Sequence, residues 1–124
     1  VKTLRGNGIK VGICTNKPEG LAETLMRNLG VRDLFASLIG ADTLSVRKPD
    51  PAPFHEAVAR AGGDSRRALL VGDSDTDHKT ARAANVPSVL VTFGPAGGDM
   101  AALQPDALLP HFADLPDLAD QLLR

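Results

Sequence analysis

Short apolar runs alternate with helical patterns along the chain, and this alternation constrains the fold more than any other feature. Apolar runs that lack an alternating polar residue are typical of strands buried on both faces of a parallel sheet. Strands that alternate with helices predict an α/β fold with a doubly wound parallel sheet, in one domain over residues 1–124. The runs are residues 11–14, 38–40, 68–71, 88–91 and 107–109.

Helices are predicted where apolar residues recur every three or four positions. In the first of them, Leu21, Leu25, Met26 and Leu29 recur after Pro18, and residue 30 is a glycine at the position of a C-cap. A glycine-rich loop over residues 94–98 precedes a short predicted helix. The remaining predicted helices cover residues 54–61, 76–84, 100–103 and 115–123.

The composition excludes several classes of partner and location. A net charge of −1 with scattered arginines argues against a nucleic-acid interface, which needs clustered basic residues. The single cysteine, Cys14, permits no internal disulfide and predicts a reducing compartment. No leader and no apolar run of membrane-spanning length occurs in these residues. We therefore expect a cytoplasmic protein with no membrane partner.

Polar residues follow the predicted strands, and ligands of α/β sheets bind beyond these carboxyl ends. Thr15 and Asn16 follow the first strand, where a hydroxyl and backbone N–H groups near a helix N-terminus predict an anion site. The alternative is that both residues cap the helix that begins near Pro18. The spacing alone leaves both interpretations open.

Lys48 lies in a loop between the second strand and the next helix, flanked by Pro49 and Pro51. The prolines restrict the backbone, so the lysine is predicted to present a fixed positive charge to a phosphate or a carboxylate. The alternative is a solvated lysine in a proline-rich turn. In the same loop, Asp50 is a candidate cap for the following helix.

Three carboxylates within five residues follow the third strand, at Asp73, Asp75 and Asp77. Because they repel one another, a divalent cation that prefers oxygen ligands, Mg²⁺, is the natural partner. We expect Asp73 at the strand tip, Asp77 one helical turn later and pointing back toward it, and Asp75 as the N-cap. Gly72 is expected to allow a tight turn. The alternative is a capping loop whose acidic residues complement the helix dipole.

The remaining chemically reactive residues are predicted to be structural or solvated. Cys14 is expected to be an inert thiol in the core. His78 is expected on a solvated helix face, about 100° from Asp77. His55 and His111 have no partners at metal-binding spacing.

The three sites occur in a fixed order, with Thr15 and Asn16 first, Lys48 next, and Asp73 with Asp77 last. In this order and context the chain resembles the haloacid dehalogenase-like superfamily, and it is similar to phosphoglycolate phosphatases and their close relatives. The resemblance covers essentially the whole chain. It rests on a strand-end threonine, a Lys-Pro pair and a GDxxxD acidic pair.

The resemblance implies a mechanism and a role for each residue. In this family an aspartate attacks phosphorus and forms an aspartyl-phosphate. Thr15 Oγ and the Asn16 N–H would hold phosphoryl oxygens, and Lys48 would neutralise the nucleophile and the phosphate. Asp73 would bind Mg²⁺ directly, while Asp77 would bind it or orient its waters. The substrate implied is a small phosphorylated metabolite.

The sequence departs from the family pattern because the nucleophile motif, DxDx[TV], is absent. Residues 1–10 contain no aspartate, and the helical cap that selects substrates is absent as well. We therefore expect the C-terminal portion of a haloacid dehalogenase-like (Rossmann-like) core domain, without the nucleophile strand and inactive alone. The strands ending at Thr15 and Gly40 are expected on one side of that missing strand, and those ending at Gly72 and Val91 on the other.

Other functions remain open at this point. A β-phosphoglucomutase-like or pyrophosphatase-like enzyme is the nearest alternative within the superfamily. A true dehalogenase fits less well, because that branch needs no Mg²⁺. A phospho-receiver module and a non-catalytic fragment are alternatives from other classes, although receivers place the acidic cluster before the Lys-Pro pair. The oligomeric state is open between a monomer and a homodimer.

Overall fold

A computed structural model describes residues 2–46, 48–92 and 103–123. The described residues form helices and parallel strands in alternation, with short 3₁₀ turns at Arg32–Leu34, Ser65–Arg67 and Phe112–Asp114. The α/β class predicted from the sequence is confirmed. In chain order the elements are α1 Lys2–Gly6, β1 Gly12–Cys14, α2 Glu19–Asn28, β2 Ser37–Ile39, α3 Ala52–Arg60, β3 Leu70–Gly72, α4 Asp75–Ala84, β4 Ser88–Val91, β5 Ala107–Leu109 and α5 Leu115–Leu122.

Each predicted strand is present, and so is each predicted helix that falls fully within the described residues. The helix α1 was not predicted, because its five residues contain no repeated apolar spacing. The predicted loop over residues 94–98 lies outside the described residues. The same holds for the predicted helix over residues 100–103, apart from its last residue.

The chain divides into two compact units, and the first covers Val1–Ser65. In it, β1 and β2 pair in parallel, with Cys14 opposite Ile39, and α3 packs against both strands. All three residues of β2 are buried, whereas Gly12 of β1 is exposed and the rest of that strand is half-buried. The prediction of burial on both faces is therefore correct for β2 and wrong for β1.

Helix α2 has the predicted length and end, but an unexpected surface. Gly30 follows it with a φ of +72°, a left-handed conformation that favours glycine and is common after a helix C-terminus. Three leucines at four-residue spacing remain exposed, with exposed fractions of 57% for Leu21, 41% for Leu25 and 62% for Leu29. The buried residue of this helix is Ala22.

The second unit covers Arg66–Arg124 and contains a parallel sheet in the order β3-β4-β5. The central strand β4 is buried at every residue, and α4 packs against β3 and β4. Val89, Val91 and Leu109 form a core against which residues of α5 pack. Burying each such side chain stabilises the fold by about 1.5–3 kcal/mol.

The strand pairs agree with the flanks predicted from the sequence. The strand ending before Thr15 pairs with the strand ending before Gly40, and the strands ending at Gly72 and Val91 pair with each other. The missing strand between these two flanks stays a prediction. Among the described residues, none of the helices is long and apolar enough to cross a membrane.

Candidate active site

The end of β1 presents Thr15 and Asn16, and neither residue caps α2. Thr15 Oγ accepts a hydrogen bond from the Lys17 N–H at 3.2 Å, which is a local turn. The first N–H of α2, at Glu19, instead donates to Asp42 Oδ1 at 2.7 Å. Because Asp42 satisfies this end of the helix, the alternative that Thr15 and Asn16 serve as its caps is wrong.

The side chain of Asn16 connects the end of β1 to the lysine loop. Its Nδ2 donates a hydrogen bond to the Lys48 carbonyl at 3.3 Å, and Lys48 is half-buried. The Lys48–Pro49 peptide bond is cis. Asp50 Oδ1 accepts the N–H of the first residue of α3 at 2.9 Å, although Pro51 and not Asp50 occupies the N-cap position. The first unit thus places the backbone of Lys48 beside Asn16.

The end of β3 carries a carboxylate that folds back over the strand. Asp77 is 7% exposed, and its Oδ2 accepts hydrogen bonds from the Asp73 N–H and from the Ser74 hydroxyl, both at 3.1 Å. The predicted direction of Asp77, back toward Asp73, is confirmed. Asp73 itself is exposed at the strand tip.

Gly72 is required by the close approach of Asp77. A Cβ atom at position 72 would overlap the Cβ and Cγ atoms of Asp77, and real side chains do not make such contacts. The φ of Gly72 is not in the left-handed region. The expected role in a tight turn is therefore replaced by a steric one, in which the missing side chain leaves room for the Asp77 carboxylate.

Asp75 is not the N-cap of α4, which corrects the prediction. The helix begins at Asp75, and Ser74 occupies the cap position. The Asp75 carboxylate instead pairs with Lys79 Nζ at 3.0 Å, one turn along an exposed surface. Exposed pairs of this spacing contribute only about 0.3–0.5 kcal/mol. Asp75 therefore does not share the inward position of Asp77.

The carboxylates of Asp73 and Asp77 fit a magnesium ion by their chemistry. Mg²⁺ is usually held by one or two carboxylates and completes its shell with waters and substrate phosphate oxygens. In the described part of the chain, no cluster of three or more His, Cys, Asp or Glu side chains is suited to a metal.

His78 is buried, so the prediction of a solvated face is wrong. It is 9% exposed, and its Nδ1 lies 2.9 Å from Ser88 Oγ on β4. The available signal was Ala81, three residues later, because apolar residues at helical spacing mark the face of a helix that packs against the core. Cys14 is half-buried rather than fully in the core. His55 contacts a serine, with its Nδ1 3.2 Å from Ser65 Oγ.

Comparisons with known proteins identify one family. The family model described as haloacid dehalogenase-like hydrolase matches residues 1–91. A phosphoglycolate phosphatase of Rhodospirillum rubrum is 45% identical over 92% of this chain and 47% of its own length. The corresponding protein of Mesorhizobium japonicum is 44% identical over 94% of this chain and 52% of its own.

The fold gives the same result. The crystal structure of a predicted phosphoglycolate phosphatase from Haemophilus somnus matches with a TM-score of 0.83 and 30% sequence identity. The match covers 94% of this chain and 52% of that structure. The chain thus spans about half the length of the curated relatives that it matches.

Proposed function

Because the chain belongs to the haloacid dehalogenase-like hydrolase family, we propose that it is the C-terminal portion of the core domain of a magnesium-dependent phosphatase. The proposed substrates are small phosphorylated metabolites, with 2-phosphoglycolate first among them. Two relatives with 45% and 44% identity are phosphoglycolate phosphatases, which supports this choice. We propose the cytoplasm as its location, in keeping with the single cysteine.

The observation that carries the proposal is the buried carboxylate of Asp77 above Gly72. In a capping box, the N-cap side chain bonds to the N3 N–H, and the N3 side chain accepts the N–H of the N-cap residue. Here Ser74 makes no side-chain cap bond, and its hydroxyl donates to Asp77 instead. Asp77 accepts the N–H of Asp73, one residue before the cap. This loop holds a carboxylate in place more than it caps a helix, which favours the metal-site hypothesis.

The end of β1 and the lysine loop are proposed to bind the phosphoryl group. The Thr15 hydroxyl and the Asn16 N–H would hold phosphoryl oxygens, because fixed hydrogen-bond donors stabilise the charge that develops on them. Lys48 would offset negative charge on the phosphate, which is where phosphoryl transfer gains most from the protein. The hydrogen bond from Asn16 Nδ2 to the Lys48 carbonyl supports a joint role for these residues.

Asp73 and Asp77 are proposed to hold the magnesium ion. When bound, Mg²⁺ would offset charge on the phosphoryl group. Asp73 is the better direct ligand because it is exposed at the strand tip. Asp77, whose Oδ2 already accepts two hydrogen bonds, is better suited to fix the loop and to orient water around the ion.

The nucleophile is proposed to lie outside residues 1–124. Its carboxylate would attack phosphorus and displace the alcohol, which takes up a proton as it leaves, and water would then hydrolyse the aspartyl-phosphate. Residues 1–10, which precede β1, contain no aspartate. The chain also spans only about half the length of its relatives. We therefore expect no phosphatase activity from the 124 residues alone.

The test uses the full-length protein and measures phosphate release with and without Mg²⁺. We expect hydrolysis of 2-phosphoglycolate to require Mg²⁺ and to exceed hydrolysis of glucose 1-phosphate and of pyrophosphate. Preference for one of those two compounds would overturn the substrate assignment. Equal rates with Mg²⁺ and with a chelator would overturn the metal assignment. Activity from the 124-residue chain would overturn the placement of the nucleophile.

A further inference from the structure

We propose that the buried hydrogen bond between His78 and Ser88 positions the carboxylate of Asp77, which makes both of them positioning residues for the metal site. This inference rests on the proposed function, because it assigns a purpose to the placement of Asp77. Neither residue belongs to the site derived from the sequence, and His78 was expected on a solvated face. Their contact was found only in the structure.

The contact is short, buried and directional. His78 Nδ1 lies 2.9 Å from Ser88 Oγ, with His78 9% exposed and Ser88 1% exposed. Which of the two groups donates depends on the imidazole tautomer. Burying two polar groups is unfavourable unless they form a hydrogen bond. This requirement restricts the His78 and Ser88 side chains to the geometry in which they bond to each other. Apolar side chains, such as those of the neighbouring Val89 and Leu90, would cover the helix without fixing its direction.

The first turn of α4 gains from such an anchor, because two hydrogen bonds hold the Asp77 carboxylate but no side-chain cap bond holds the helix backbone. Ser74 makes no side-chain cap bond. The helical bond from the His78 N–H to the Ser74 carbonyl is 3.3 Å long, slightly longer than the usual range of about 2.7–3.2 Å. Helix ends without caps fray. His78 directly follows Asp77, so a contact that fixes His78 also fixes the backbone from which the Asp77 carboxylate extends.

Ser88, the strand residue of this contact, is itself fixed by hydrogen bonds. The Ser88 N–H donates to Asp106 Oδ2 at 2.6 Å, and Arg82 Nη1 donates to the same oxygen at 3.0 Å. Ser88 therefore has a fixed backbone when its hydroxyl meets His78. Asp106 thus holds Ser88, Ser88 holds His78, and His78 fixes the backbone of the adjacent Asp77.

The test compares four variants of the full-length protein. Ser88→Ala and His78→Leu break the contact, whereas His78→Asn keeps a polar atom near the position of Nδ1. The matched control is Ser37→Ala, because Ser37 is also a buried strand serine and its hydroxyl donates to the Ala57 carbonyl at 2.7 Å. It lies on β2, in the first unit, and that hydroxyl bonds to α3.

The first measurement is hydrogen exchange of the Asp73 amide in metal-free protein, because this amide donates to Asp77 Oδ2. Exchange is expressed relative to the Val86 amide, which bonds to the Ala81 carbonyl near the other end of α4. We expect Ser88→Ala and His78→Leu to raise this ratio about tenfold, because local opening becomes easier by roughly the net contribution of one buried hydrogen bond.

The second measurement is the Mg²⁺ concentration that gives half-maximal activity. We expect it to rise about tenfold in Ser88→Ala and His78→Leu, with kcat at saturating Mg²⁺ nearly unchanged and with recovery in His78→Asn. The proposal would be overturned if Ser88→Ala and His78→Leu left both the exchange ratio and the half-maximal Mg²⁺ concentration unchanged. It would also be overturned if Ser37→Ala changed these two quantities equally. If the wild-type protein hydrolysed its substrate at the same rate with and without Mg²⁺, the proposed function would be overturned instead. The exchange ratio would still test the contact between His78 and Ser88.

Discussion

Gly72 offers the sharpest test of the loop that holds Asp77. In Gly72→Ala, the new methyl group would overlap the Cβ of Asp77, an atom that side-chain rotation cannot move away. Either the start of α4 shifts, or Asp77 leaves the loop and loses its hydrogen bonds to the Asp73 N–H and to the Ser74 hydroxyl. Overpacking costs about 1–3 kcal/mol, and each lost hydrogen bond to a charged group about 1.5–3 kcal/mol.

We therefore expect Gly72→Ala to lower the free energy of unfolding by about 3 kcal/mol, since relaxation recovers part of these terms. The assay is urea denaturation of the full-length protein, followed by a fluorescent label on the unit that contains α4. Gly20→Ala is the control, because position 20 lies within α2 and has open space around it. That change should stabilise the protein by less than about 1 kcal/mol, because position 20 lies in the first turn of the helix. Equal stability of Gly72→Ala and wild type would refute the steric argument.

Three further changes test other parts of the site. Asp42→Ala should destabilise the protein by about 0.5–2 kcal/mol in urea denaturation, because it removes the carboxylate at the start of α2; an unchanged midpoint would contradict this capping role. Asp73→Asn should abolish Mg²⁺-dependent phosphate release. The control Asp75→Asn removes only an exposed ion pair and should keep this activity. Equal activity of the two variants would show that Asp73 is not a metal ligand. Asn16→Ala should lower kcat/KM about two- to fivefold through the lost bond to Lys48, and unchanged kinetics would show that this bond does not matter.

Local signals explain why most of the fold could be predicted from the sequence. The ends of the helices are set by residues that adopt left-handed conformations, such as Gly30 and Asn85, and these are recognisable without any tertiary information. The direction of Asp77 followed from helical geometry alone, because its spacing from Asp73 is one turn. Such features depend on neighbours within about five residues.

Several of the misses concern contacts between residues that are distant in the sequence. Asp42 caps a helix whose first residue lies 23 positions earlier, and Ser88 meets His78 across ten positions and two elements. Helical spacing identified Leu21 and Leu25 as one stripe but could not reveal that this stripe is exposed. Periodicity gives the face of a helix, while only the tertiary arrangement decides what covers it.

The carboxylate at the start of α2 has a consequence for the release of phosphate. The N-terminus of a helix carries a partial positive charge that attracts anions, and here Asp42 already occupies it. A phosphate near Thr15 would therefore gain little from the helix and would depend on Lys48 for its charge partner. Binding energy that favours product as much as the transition state does not accelerate chemistry. In the proposed phosphatase, we expect this neutralised helix end to let inorganic phosphate dissociate quickly, so that release of product would not limit turnover.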